Sequence, residues 1–314
     1  MTLFVDLVVI GAGPAGLTAG IYAARAGLKV IILEALKAGG LIAENALIEN
    51  YPGFPSGISG FEFANRLVEQ AVKNGVEVRE GEPVRDVVRL EDGRFLVKTD
   101  EGEYECYAVI LATGTRRKKL GVKGEEEFRG RGVSYCAVCD GPLFRGRKVA
   151  VVGGGNTAVS EAIYLSSLAS KVYLIHRRNA LRAEEALQKA LFNKNNVEVL
   201  WNTVVKEIVG EEKVYGVKVA DINTGEVRSV DVDGVFIAIG EEPNNELAKK
   251  LGLALTEEGY VKVDLNTMET SIPGVYAAGD ITGVFKQAAV AVGQGALAAN
   301  SAYNRIQRVK AHHT

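Results

Sequence analysis

An α/β fold of two doubly wound units, one inserted in the other, is what this sequence predicts, and three observations predict it. Short Val/Ile/Leu runs alternate with longer helical stretches, the pattern of parallel sheets covered by helices in three layers. A strand–glycine turn–helix–strand unit that begins near Val5 is repeated near Lys148. After Gly240 only about 70 residues remain, a piece too small to hold its own core without staples. That tail is therefore expected to return to the first unit. The expected domains are 1–116 with 247–314, and 117–246 inserted between them.

The elements follow in order. Apolar runs at 7–10, 30–33, 108–112, 149–152, 171–175 and 235–239 read as buried parallel strands. Residues 109–114 (Val-Ile-Leu-Ala-Thr-Gly) close the first half with a strand and a glycine turn, and 236–240 (Phe-Ile-Ala-Ile-Gly) close the second. Residues 7–24 carry no charge and approach the length of a membrane span, but they hold four glycines and a proline. They read as strand, turn and helix start. The opening Met-Thr-Leu-Phe-Val-Asp lacks the basic region of a signal peptide, so a cytoplasmic protein is expected.

A chain of 314 residues has room for about two domains. Its formal charge of -2 argues against nucleic acid or an anionic membrane as the main partner. Three cysteines are too few for a disulfide scaffold.

Gly11-Ala12-Gly13-Pro14-Ala15-Gly16 follows the first strand and opens a helix. Gly11 allows a tight turn, Gly13 lets a pyrophosphate approach the backbone, and Gly16 lets helix and strand pack closely. The helix start offers free N–H groups and partial positive charge. Glu34, at the end of the next strand, can accept hydrogen bonds from ribose hydroxyls. Gly153-Gly154-Gly155-Asn156-Thr157-Ala158 repeats the design. Its second strand ends in His176-Arg177-Arg178, with Arg182 one turn on. Guanidinium groups bind a 2′-phosphate that an acid would repel, so NADPH is expected over NADH. Both units are thus Rossmann-like. Two such sites suggest two nucleotides. A nicotinamide gives up a hydride, and a flavin is the simplest acceptor. Glu34 suits the ribose of FAD.

Cys136-Ala137-Val138-Cys139 precedes the second glycine turn and is followed by Asp140. A Cys-x-x-Cys pair can close a redox-active disulfide with one thiol of lowered pKa. Zinc wants about four ligands, and an iron–sulfur cluster usually wants four cysteines. Only Cys106 and three histidines remain, and His312 and His313 lie at the C-terminal end. The redox disulfide is the preferred expectation, with no metal. Cys106, between Tyr104 and Tyr107, reads as a structural thiol.

These segments resemble the thioredoxin reductase family, in its small two-domain form, over nearly the whole chain. The segments that carry the resemblance are 11–16, 49–53 (Glu-Asn-Tyr-Pro-Gly), 112–114, 136–140, 153–159, His176 to Arg178 with Arg182, 271–280, and Gln287-Ala288. Ferredoxin–NADP reductases of similar fold lack cysteines at positions 136 and 139. The resemblance implies an FAD domain in two pieces with an inserted NADPH domain, usually in a homodimer. It implies FAD contacts at Gly11, Gly13, Pro14, Ala15, Gly16, Glu34, Gly40, Asn50, Thr113, Gly114, Gly279, Asp280, Gln287 and Ala288. NADPH contacts are implied at Gly153, Gly155, Asn156, Thr157, His176, Arg177, Arg178 and Arg182. Cys139 resembles the thiol nearest the flavin, Cys136 the interchange thiol, and Asp140 their acid/base. Asp280 resembles the acid that binds the flavin ribitol.

The chain departs from the family at two places. Many relatives carry Gly-Gly-Gln and a threonine run where this chain has Gly39-Gly40-Leu41-Ile42, and Lys286 stands where an arginine is common. Both changes bear on flavin potential and partner choice. Because the dithiol and the nicotinamide site share the inserted domain, the two are expected to take turns at the flavin by rotation on linkers at 116–119 and 241–245. The expected activity is NADPH-dependent reduction of a protein disulfide, on thioredoxin or a glutaredoxin-like protein. An oxidase that passes electrons to oxygen, or a non-catalytic nucleotide-binding redox sensor, are the alternatives.

Overall fold

The computed structural model describes residues 2–44, 48, 50–135 and 137–312, with backbone alone at 138, 139 and 312. It divides into two compact units, Met1–Arg116 with Glu242–Thr314, and Arg117–Glu241.

The first unit is built on five strands in the order Val275–Ala277, Ala108–Leu111, Leu7–Ile10, Val30–Glu34 and Glu77–Glu80, each pair parallel. Successive strand side chains point to opposite faces, so a strand covered on both sides reads as an unbroken apolar run. Leu7 and Val9 pack with Leu17 and Ile21 of the Pro14–Arg25 helix and with Ala298, Ala302 and Ile306 of the Ala288–His312 helix. Val8 and Ile10 face the other way, toward Val87, Phe95, Val97 and Tyr104.

Those last residues belong to a second sheet, in the order Thr2–Phe4, Glu103–Cys106, Phe95–Thr99 and Val84–Arg89. It takes the face on which the sequence pattern alone suggests helices. Its strands Val84–Arg89 and Glu103–Cys106 are mostly half-buried and carry charges among their apolar residues, so they show no long apolar run.

The second unit repeats this plan. Its parallel sheet runs Val133–Ser134, Gly234–Ala238, Lys148–Gly153, Lys171–Ile175 and Val197–Leu200. The helices Asn156–Ser166 and Glu185–Phe192 cover one face. An antiparallel sheet of Thr203–Gly210, Val214–Asp221 and Val227–Asp231 covers the other.

The chain leaves and re-enters the first unit through a two-stranded ribbon, Thr115–Arg117 with Glu241–Pro243. Residues 242–246, expected in the inserted unit, fall in the first. Arg116 explains this: it donates to Glu242 at 2.8 Å and pairs with Glu246. The Thr113 hydroxyl donates to the Asn244 carbonyl, and the Asn244 side-chain amide donates back to the Thr113 carbonyl, both at 2.8 Å. Among the described residues no helix is long and apolar enough to cross a membrane, and the uncharged 7–24 segment is a strand, a turn and most of a helix.

Candidate active site

The two glycine turns have one geometry. A Cβ on Gly11 would lie 2.3 Å from the Ala112 carbonyl oxygen, and one on Gly153 would lie 2.3 Å from that of Ala238. In each unit the turn is pressed against the carbonyl end of the neighbouring strand, which only glycine permits. A Cβ on Gly16 would lie 1.9 Å from the Gly11 carbonyl oxygen. The second unit has Ala158 at the matching position, fully buried.

Gly13 and Gly155 begin the helices that follow. Neither helix has a side-chain cap or an acid in its first turn, so its first N–H groups and the positive end of its dipole stay available to an anion. A Cβ on Gly155 would meet nothing within 4 Å, and one on Gly13 only the Cα of Gly40, at 3.9 Å. Each turn therefore leaves open space in front of its first backbone N–H groups, as the close approach of a pyrophosphate requires.

Around the first turn the structure gathers residues far apart in sequence. The Gly39 amide donates to the Ala12 carbonyl at 2.8 Å, which sets Gly40 against Gly13. A Cβ on Gly279 would lie 2.9 Å from the Ala15 Cβ, so the turn before Asp280 abuts the helix start. The Asn50 amide donates to the Gln287 side-chain oxygen at 3.0 Å across 237 residues of sequence. Asp280 opens a single turn, Asp280–Thr282, and Ala288 begins the last helix. Thr113 and Gly114 follow the Ala108–Leu111 strand and are tied to Asn244, the Gly114 carbonyl accepting from the Asn244 backbone N–H at 3.1 Å. Each carboxylate oxygen of Glu34 accepts one backbone N–H, from Ala12 at 2.8 Å and from Leu36 at 2.9 Å. A carboxylate has about four acceptor sites, so capacity for ribose hydroxyls remains.

The second turn is framed differently. His176, implied as an NADPH contact, is buried, 3% exposed. Its ring fills the space a Gly154 side chain would need, 2.2 Å from that Cβ, and meets Trp201 edge-on. Its Nε2 lies 3.0 Å from the Ala180 carbonyl. The imidazole thus braces the glycine turn and the loop after it. Arg177, Arg178 and Arg182 are exposed. The Arg182 amide donates to the Gly154 carbonyl at 2.8 Å, which ties the arginine loop to the glycine turn. Thr157 is exposed at the helix start. Asn156 is engaged by Glu184: its amide donates to the carboxylate at 2.8 Å, and its oxygen accepts the Glu184 N–H at 2.9 Å.

Cys136 lies outside the described residues. Cys139 sits in the one-turn helix Ala137–Asp140, whose Ala137 is buried in the second unit's core, and Asp140 is half-buried. Cys106 is fully buried in the first unit, in the core cluster that holds Phe95 and Tyr104. Burial pushes its thiol up to about 12, so it stays protonated and inert.

Comparison with known proteins bears on what these turns serve. Residues 5–295 match the model of the pyridine nucleotide-disulphide oxidoreductases. The thioredoxin reductase of Bacillus subtilis (strain 168) is 44% identical over 309 residues, covering 97% of this chain and 96% of the relative. The chain belongs to the thioredoxin reductases. The Lactococcus lactis thioredoxin reductase, in a structure titled as its FR conformation, superposes with a TM-score of 0.89 at 39% identity, covering 97% and 99% of the two chains. That of T. acidophilum gives 0.87 at 44% identity, covering 96% and 98%. The chain is a disulfide reductase, and thioredoxin reductases depend on FAD and NADPH. Three residues that hold candidate site residues carried no sequence signal. Gln294 accepts the Gly279 N–H at 2.7 Å, Asn244 holds Thr113, and Glu184 holds Asn156.

Proposed function

We propose that the chain reduces a protein disulfide with NADPH, holding FAD in the first unit and NADPH in the second, and delivering electrons through Cys136 and Cys139. The observation that carries this is the contrast at two like turns: a carboxylate is hydrogen-bonded to one, and three exposed arginines follow the strand end beside the other. Bound FAD supplies the two-electron chemistry that joins hydride donation by a nicotinamide to reduction of a disulfide.

The chain's own residues do the rest. The helix starts at Gly13 and Gly155 receive the pyrophosphates, and Glu34 accepts from ribose hydroxyls. Arg177, Arg178 and Arg182 pair with the 2′-phosphate. Gly40, Asn50, Asp280, Gln287 and Ala288 line the flavin side. The Cys136 thiolate attacks one sulfur of the partner disulfide and releases the other as a thiolate. The Cys139 thiolate then attacks Cys136 in the mixed disulfide. That step forms the Cys136–Cys139 bond and frees the second partner thiol, so two electrons leave the dithiol. Asp140 takes up and returns the thiol proton.

The partner is thioredoxin or a glutaredoxin-like protein, and the enzyme works as a cytoplasmic homodimer. Dithiol and nicotinamide alternate at one flavin by rotation about 116–119 and 241–245. A cross-link between the units should stop turnover, and full activity in the linked protein would refute alternation. Anaerobic mixing tests the whole route. NADPH should bleach the flavin of both the native protein and Cys139→Ser, and only the native protein should then reduce oxidised thioredoxin. A Cys139→Ser variant that still reduced it would refute the dithiol assignment.

A further inference from the structure

Among the described residues of the second unit, the most buried carboxylate is one that the route above does not use. Glu125 is 2% exposed, although it opens the run Glu125-Glu126-Glu127, which reads as a solvated surface. One of its oxygens accepts the Leu120 N–H at 2.7 Å, and the other accepts the Gly121 N–H at 2.5 Å. The first oxygen also accepts the Tyr135 hydroxyl at 2.6 Å. Three hydrogen bonds are the kind of satisfaction a buried carboxylate requires.

The partners are informative. Leu120 and Gly121 end the segment that enters the second unit, and Tyr135 is the residue before Cys136. The turn that carries Glu125 is itself anchored. A Cβ on Gly124, at φ +88°, would lie 2.1 Å from the Ile208 carbonyl oxygen. The Ile208 N–H donates to the Lys123 carbonyl at 2.9 Å, and Lys123 pairs with Glu207 at 2.8 Å. Burial, and then the Glu125 carboxylate, raise the Tyr135 pKa above its ordinary value, so the phenol remains a donor.

We propose that Glu125 is a positioning residue for disulfide exchange, one carboxylate that joins the end of the incoming linker to Tyr135 and so sets the chain leading into Cys136. The proposal rests on the Cys136–Cys139 assignment. Tyr135→Phe cuts the loop side of this link alone. Glu125→Gln offers one acceptor oxygen in place of two, so it cannot serve Leu120, Gly121 and Tyr135 together.

The test uses the FAD-loaded protein, NADPH, and oxidised thioredoxin as the disulfide. Each variant should bleach its flavin at the native rate and pass electrons to the disulfide slower by on the order of tenfold, the scale of a hydrogen bond to a charged group. The double variant should be no slower than the slower single one, because both act through one link. A second readout needs no cofactor: alkylation of Cys136 by iodoacetamide in the reduced protein, followed by mass, should change in rate in both variants. Native exchange and native alkylation in variants that merely melt earlier would reduce Glu125 to a structural residue and overturn the proposal. Failure of the unaltered protein to bleach or to reduce the disulfide would instead sink the functional assignment beneath it.

Discussion

The two nucleotide-binding units make the same turn and end it in opposite charge. In each, a glycine lies against a neighbouring strand's last carbonyl, at Ala112 and at Ala238, and an uncapped helix start follows. One following strand ends in Glu34, clamped by two backbone amides. The other ends in a buried His176 and three exposed arginines. The turn geometry is thus shared, and in the proposed function it receives a pyrophosphate while the strand end selects what lies beyond it. The units differ in packing too. Gly16 leaves no room for a methyl group, while Ala158 stands at its counterpart.

That packing difference gives the largest expected effect. Gly16→Ala places a methyl group 1.9 Å from the Gly11 carbonyl oxygen, so the helix must shift from the strand. Overpacking of this kind costs about 1–3 kcal/mol or more, and here the shift displaces the first glycine turn. The variant should purify without flavin colour and melt earlier, whereas Ala158→Gly should leave NADPH binding within a few-fold of native. A yellow Gly16→Ala protein would break the claim that helix–strand contact sets the first glycine turn.

The next effect belongs to the charges. Replacing Arg177, Arg178 and Arg182 together by Ala removes contacts worth about 1.5–3 kcal/mol each when charge-assisted. These side chains are exposed, so screening reduces that figure. The KM for NADPH should rise on the order of 10²-fold, with the KM for NADH little changed and the salt dependence of NADPH binding lost. Equal losses for both nucleotides would mean that the loop is held by the arginines rather than tuned by them.

Much of this contrast was legible in the sequence, for a physical reason. A strand buried on both faces must be apolar at every position, so 7–10 and 149–152 stand out, and a glycine that faces a carbonyl cannot be replaced. Glu34 and the arginines were legible because they follow their turns at fixed spacing. Other features were not. The half-buried sheets at Val84–Arg89 and Thr203–Gly210 have only partial alternation. His176 reads as polar and exposed, and only the empty side of Gly154 shows why it is buried. Gln294, Asn244 and Glu125 act on partners fixed by tertiary structure. Asn244 meets Thr113 across 131 residues, and nothing local marks a glutamine in an otherwise helical run as the acceptor for Gly279.

The smallest expected effect is also the sharpest on the first strand end. Glu34 could act through its charge or through its acceptor oxygens. The charge sits at the positive end of a helix, a contribution of about 0.3–1 kcal/mol. The acceptors hold Ala12 and Leu36, and an amide cannot replace both. Glu34→Gln turns an NH2 group toward one of those N–H donors and leaves that donor unsatisfied, at about 1–3 kcal/mol. FAD should therefore dissociate roughly tenfold more readily, measured by flavin fluorescence on dilution. The loss should change little with salt, because a hydrogen bond and not a screened charge has gone. A salt-dependent loss would assign Glu34 to electrostatics, and the two strand ends would then differ only in sign. Native FAD retention in Glu34→Gln would remove the carboxylate from the site and leave the first turn no selector at all.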